Sequence, residues 1–169
     1  TDVPFNVPNQ VSSLTKEYAP LLQHMLRTAQ ALAAAAGCDT LLTASPTSAL
    51  LPDVAPRRAF RVGFHSSPSL FPLHMHCISM DMNSPAMKNK THFLSFTSAF
   101  MVDTSAVITA LAEPDRLSRL LAECPSLREV PISELRTPGL RTPYVRPFAA
   151  FKEALCAEAG KPAAATLGE

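Results

Sequence analysis

Between residues 13 and 36 the apolar positions Leu21, Leu22, Met25 and Leu32 recur at helical spacing and predict one long helix. Ser12 or Ser13 is its expected cap, Glu17 completes an approximate capping box, and Gly37 is its stop. Pro20 offers a second place for the helix to begin. From Arg58 to Ser66 the period changes to two, with Phe60, Val62 and Phe64 alternating against Arg61, Gly63 and His65, which is the pattern of a strand. Ser66-Ser67-Pro68-Ser69 turns the chain, and Leu73 to Ser79 alternates again. As a strand it sends Leu73, Met75 and Cys77 to one face and His74 and His76 to the other. The two strands are expected to pair as an antiparallel hairpin.

The rest of the chain is less regular. Residues 1–11 carry two prolines and read as an extended segment or the end of an edge strand. Residues 38–57 read as a proline-stiffened loop with a short strand at Leu41-Leu42. A polar, turn-rich stretch at 80–92 leads into Phe93–Val102, whose aromatic content predicts a further strand. Residues 104–123 read as helix broken near Pro114, a proline- and arginine-rich stretch follows Pro125, and an amphipathic helix is expected from Phe148 to Ala159. The tail from Gly160 is rich in small residues and expected to be loose.

Composition narrows the class. A chain of 169 residues with 47% hydrophobic and 17% charged side chains can build a real core. A net charge of +1 gives no global attraction to nucleic acid or membrane, so such binding has to come from local patches. Cys38, Cys77, Cys124 and Cys156 are far apart and form no CxxC pair, which speaks for reduced thiols in an intracellular setting rather than a disulfide framework. No apolar run reaches the length of a membrane span. The first residue, Thr1, points to a chain that is processed or continues upstream.

Two imidazoles on one strand face are the main chemical feature. His74 and His76 suit a nucleophile and its partner, or two metal ligands; they also suit ordinary strand histidines with hydrogen-bonded partners. The metal reading needs a third ligand, for which His65, His92 or Asp81 are the neighbours in sequence.

Read together, Gly63-Phe64-His65-Ser66-Ser67-Pro68-Ser69-Leu70, Leu73-His74-Met75-His76-Cys77-Ile78-Ser79, and Ser84-Pro85 with Lys88-Asn89-Lys90 and His92-Phe93 resemble the aprataxin branch of the histidine-triad (HIT) superfamily. That branch carries GYHxxPSM, an HφHφHφ strand and SPxxKNKxHW in this order at nearly this spacing. The resemblance implies an α+β fold, with an antiparallel sheet packed on the main helix. It implies that His74 is the nucleophile that attacks the phosphorus of an adenylated substrate, that His76 is the third histidine of the triad, and that water resolves the histidine–AMP intermediate. The implied substrate is a 5′-adenylated nucleic-acid end and the setting is DNA repair, in the nucleus or a mitochondrion; no cofactor is implied. Ser69 and Ser79 are candidates to stabilise transition-state charge, Lys88 and Lys90 to contact phosphate and His65 to bind nucleotide or phosphate; His65 and His92 match family positions that either order the loops around the site or take part in the chemistry.

The chain departs from that pattern in three places. Pro72 stands where the first triad histidine would be. Only residues 3–8 precede the main helix, whereas HIT domains normally place two strands there; those strands are expected upstream, on another chain, or not at all. Where the family has a zinc finger, Thr137 and Leu140 replace cysteines and Ala154 and Glu158 replace histidines, so no metal is expected. The expected organisation is a HIT-like domain over 1–125, a zinc-finger-like module without ligands over 126–160, and a tail over 161–169. Arg136, Arg141 and Arg146 recur every five residues, as a phosphate-tracking edge or as a connector whose arginines pair with Glu129, Glu134 and Glu153. Beside the hydrolase stands an alternative of another class, a catalytically inactive HIT-like domain kept as a structural or binding subunit of a larger assembly, with other subunits completing the sheet.

Overall fold

A computed structural model of the chain describes residues 8–38, 40–42, 59–130 and 147–159. The main helix forms where the apolar spacing puts it but starts late. Residues Val11–Ser13 and Lys16–Tyr18 are single 3-10 turns, and α1 runs over Ala19–Ala35. Neither serine caps it; Pro20 sits in its first turn, where a missing N–H costs nothing because that donor has no helical partner. Gly37, at φ +84°, turns the chain out of the helix as expected.

Four strands follow: β1 (Thr40–Leu42), β2 (Ala59–His65), β3 (His76–Ser79) and β4 (Met101–Asp103). β2 carries every pairing. β3 runs antiparallel along one of its edges, with Phe60 opposite Ser79 and Gly63 opposite His76, so the hairpin read from the sequence is present. The other edge is shared end to end by β1, parallel over Ala59–Arg61, and β4, antiparallel over Gly63–His65. The histidine strand is shorter than its alternation suggests. It begins at His76, and Leu73, His74 and Met75 approach it outside the ladder, with the Leu73 N–H donating to the Pro8 carbonyl at 2.9 Å.

The aromatic stretch expected as a strand is mostly helix. Lys90–Thr97 forms α2, because the Asn89 side chain accepts the His92 N–H at 2.8 Å and caps it, and because Phe93, Leu94, Phe96 and Thr97 fall on buried helical positions. Only Met101–Asp103 at the end of that stretch is strand. The break at Pro114 separates α3 (Thr104–Ala110) from α4 (Arg116–Ala122), and α5 occupies Phe148–Ala159.

The alternation in β2 sorts the core into two layers. Phe64 and Val102 join Val11, Leu14, Leu22, Val107 and Leu111 on the side of α1 and α3, with Leu73 and Met75 packed against them. Ala59 and Met101 lie on the opposite side with Met80 just after β3, Phe93 and Leu94 of α2, and Phe151 and Leu155 of α5. His65 and His76 belong to this second side, since they share the face of Gly63. No helix among the described residues is long and apolar enough to cross a membrane.

Arg61 was placed by the alternation on the face opposite Phe60, and that face proves to be interior. The side chain is 1% exposed. Its Nε donates to Asp103 at 2.9 Å, and Nη1 to the carbonyls of Phe96 and Ser98 at 3.0 and 2.9 Å; Nη2 donates to the Met101 carbonyl. One guanidinium thus satisfies the carbonyls where α2 ends and β4 begins, and places a cation at the negative end of that helix. Burial pushes the Asp103 carboxyl above its ordinary range, with Arg61 drawing it back.

Candidate active site

Three segments bring the site together. β2 ends on His65, the segment after the 66–72 loop delivers His74 and His76, and α2 with the residues after it supplies His92, Phe96 and Phe100. The loop is held at both ends. The Ser66 N–H donates to the Phe100 carbonyl at 2.9 Å, and Leu73 is tied to Pro8. Between these elements lies an open cavity of about 420 Å³. His65, Ser67, Ser69, Leu70, His74 and His76 line it from the hairpin; Asn89, Thr91, His92, Ser95 and Phe96 from α2 and its cap; and Phe100 and Leu127 close it.

The histidines form a continuous ring cluster. The His65 and His76 centroids are 4.3 Å apart, and those of His74 and His76 are 4.7 Å apart at 75°, edge to face. Phe96 packs on His65 and His76 at 5.1 Å each and on His92 at 5.4 Å, and Phe100 on His65 at 5.2 Å. These apolar neighbours set the electrostatics. Burial, and then the neighbouring imidazoles, pull His65 and His76 down to about 4, so both rings are neutral near pH 7; a backbone hydrogen bond with Ser95 works weakly the other way at His65. The Nε2 atoms of both rings are buried and have no protein partner. A buried ring nitrogen without a hydrogen-bond partner is costly.

His74 differs. Its Nδ1 lies 3.1 Å from the Pro72 carbonyl oxygen. A carbonyl only accepts, so this contact requires the proton on Nδ1 and leaves the Nε2 lone pair unprotonated in the neutral ring. That is the form in which an imidazole is a nucleophile.

Among the residues expected in the site, His65, Ser69, His74, His76 and His92 line the cavity. Ser79 does not; its hydroxyl donates to Asp81 at 2.8 Å. Lys88 is exposed and Lys90 half-buried, and neither lines the cavity, although Asn89 and Thr91, which alternate with them, do. Arg136, Arg141 and Arg146 lie outside the described residues, as do Thr137 and Leu140. No group of three or more His, Cys, Asp or Glu side chains among the described residues could hold a metal ion. Sequence reasoning did not assign Phe96, Phe100 or Asn89 to the site, nor Arg61 to its support. The signals were present as an asparagine three residues before His92 and aromatics spaced three and four apart.

Comparison with known proteins gives a consistent picture. A family profile described as "Scavenger mRNA decapping enzyme C-term binding" matches residues 3–92. The chain is 33% identical to aprataxin of Danio rerio over 109 residues, which is 64% of this chain and 29% of that protein. It is 40% identical to an aprataxin-like protein of Schizosaccharomyces pombe over 63 residues, covering 37% of this chain and 27% of that one. It is 30% identical to a HIT domain-containing protein of Dictyostelium discoideum over 103 residues, covering 61% and 24%. The chain therefore spans less than a third of the length of each of these relatives.

Proposed function

The chain belongs to the scavenger mRNA decapping enzyme C-term binding family, in the aprataxin-like branch of the histidine-triad proteins, and we propose that it removes AMP from 5′-adenylated nucleic-acid ends, a step of DNA repair. The observation that carries this reading is the contact between His74 Nδ1 and the Pro72 carbonyl at the wall of an open cavity. It fixes the tautomer that leaves Nε2 as the attacking atom.

In the proposed reaction, Nε2 of His74 attacks the α-phosphorus of the adenylate. The N–P bond forms as the P–O bond to the nucleic-acid 5′-phosphate breaks, and that phosphate leaves. Water then attacks the same phosphorus, the N–P bond breaks, AMP departs, and the water proton passes to solvent. His76, neutral near pH 7 and 4.7 Å from His74 between ring centroids, donates a hydrogen bond to a non-bridging oxygen. His65 supports His76 from behind, and Ser69 offers a hydroxyl to the phosphate. The first turn of α2 also lines the cavity, so the positive end of that helix helps to hold negative charge. Lys88 and Lys90 add positive potential beside α2. The cavity volume lies in the lower part of the roughly 300–1,000 Å³ range of small-molecule sites and admits one nucleotide.

The test is release of AMP from a 5′-adenylated oligonucleotide by the wild type and His74→Asn. We expect release by the wild type, a covalent adenylate trapped on His74 after acid quench, and at least about a 10³-fold loss in the variant with its circular dichroism unchanged. A folded wild type that releases no AMP, or a variant as active as the wild type, overturns the proposal in favour of a non-catalytic domain.

A further inference from the structure

One wall of the cavity comes from a part of the chain remote from the others. The other lining residues lie between His65 and Phe100, whereas Leu127 follows α4, well beyond residues 3–92 of the family profile. A closed turn holds it there. The Glu129 N–H donates to the Ser126 carbonyl at 2.9 Å, and the Ser126 N–H donates to the Glu129 carboxylate at 3.0 Å, so each residue satisfies the other. Hydrogen bonding with Ser126 also keeps the Glu129 carboxyl below its ordinary range, hence ionised and accepting near neutral pH. Next in the chain, Val130 is buried in the core with Phe93 and Phe151, and half-buried Leu127 packs against the same cluster. The turn is thus pinned by two hydrogen bonds and a core side chain, and it keeps Leu127 in the cavity wall.

The apolar lining residues divide by what already occupies them. Phe96 packs on His65, His76 and His92, and Phe100 on His65, so both rings are committed to the imidazoles. Leu70 is 67% exposed on the 66–72 loop. Leu127 is the remaining apolar side chain of the wall, and it is backed by core. Ser67, Ser69 and His74 on one side and Asn89, Thr91 and His92 on the other give the cavity hydrogen-bonding groups suited to a phosphate and a sugar. Leu127 has nothing to offer either of those. A branched aliphatic side chain suits the face of a nucleobase, which gains by leaving water against an apolar surface.

We propose that Leu127 is a specificity-determining residue that packs on the nucleobase of the bound adenylate, so that the turn after α4 selects a nucleotide over a bare sugar phosphate. This rests on the hydrolase reading and deepens it by dividing the ligand between elements. The hairpin and α2 take the phosphate, and the turn takes the base.

The experiment measures equilibrium binding of AMP and of ribose 5-phosphate to the full chain by isothermal titration calorimetry. The two ligands share sugar and phosphate and differ in the base. The wild type should bind AMP at least about tenfold tighter than ribose 5-phosphate. Leu127→Ala should lose most of that margin while its affinity for ribose 5-phosphate stays within about twofold. Leu127→Met, which conserves volume, should keep the margin. Equal affinities in the wild type, no binding of AMP, or a margin that survives Leu127→Ala overturns the proposal. So does a Leu127→Ala variant that weakens both ligands alike, as a merely structural role would. AMP release from a 5′-adenylated oligonucleotide by the wild type is measured separately. Release with an unaltered margin in Leu127→Ala sinks this proposal alone, and loss of the margin without any release by the wild type sinks the hydrolase reading alone.

Discussion

Arg61 on β2 and Asp103 on β4 meet at 2.9 Å, their side chains only 1% and 8% exposed. The pair lies directly beneath the site, since the same guanidinium holds the carbonyls of Phe96 and Ser98 at the end of α2. Removing it strands a buried carboxylate together with several carbonyls. Arg61→Leu should cost about 3–5 kcal/mol in urea unfolding, and Arg61→Lys, with fewer donors, a smaller amount. A loss below about 1 kcal/mol for the leucine variant would show that the network contributes little.

The histidine cluster predicts an acid-sensitive fold. In the unfolded chain His65 and His76 take up protons near pH 6.5, whereas in the folded chain they do so only at about 4. Between those values the unfolded state holds more protons, so stability is complete above about pH 6.5 and falls as pH drops toward 4. Thermal unfolding between pH 7 and 4 should follow this course, and His65→Gln should flatten it. Adding AMP should move both titrations upward in histidine NMR, because a bound phosphate favours the protonated ring. Titrations that stay near 6.5 in the free protein would contradict this account of the burial.

Gly63 is the residue of β2 paired with both His76 and Asp103. A Cβ there would overlap the Val102 carbonyl oxygen and touch the Met101 methyl at 3.1 Å. Backbone cannot swing aside as a side-chain end can, so Gly63→Ala should destabilise by about 1–3 kcal/mol. It should also loosen β4 enough to lower AMP release, and equilibrium unfolding with parallel activity measurements checks both.

Asn89 links folding to the site through the cap of α2. Asn89→Ala should cost about 1 kcal/mol, and Asn89→Asp should keep most of that stability. Because the first turn of α2 lines the cavity, the alanine variant should raise KM for an adenylated oligonucleotide severalfold, with a smaller effect on kcat. An unchanged KM would mean that the turn does not contact substrate.

Much of this was legible in the chain itself. The break of period at Arg58, the alternation through His74 and His76, and the dense motif run over residues 63–93 set out the hairpin and the histidine face. What escaped were features decided by three-dimensional context. Arg61 reads as a surface charge in any alternation, and only the carbonyls and carboxylate converging on it make burial favourable. Phe93–Val102 reads as strand from its aromatics, yet one capping hydrogen bond from Asn89 and the core packing of Phe93 and Leu94 select helix. The early cap at Ser12 or Ser13 failed for the converse reason, since those residues lie in a 3-10 turn that the extended residues Leu14 and Thr15 separate from α1.

The oxygen that fixes the His74 tautomer belongs to the main chain of Pro72. Every amino acid carries that atom, so the side chain at 72 is chemically silent in setting the proton on the neighbouring ring. A lineage could exchange a histidine for a proline there and keep the attacking nitrogen ready, provided the loop held its path. Variation at 72 is therefore a poor guide to whether such a domain is enzymatically alive.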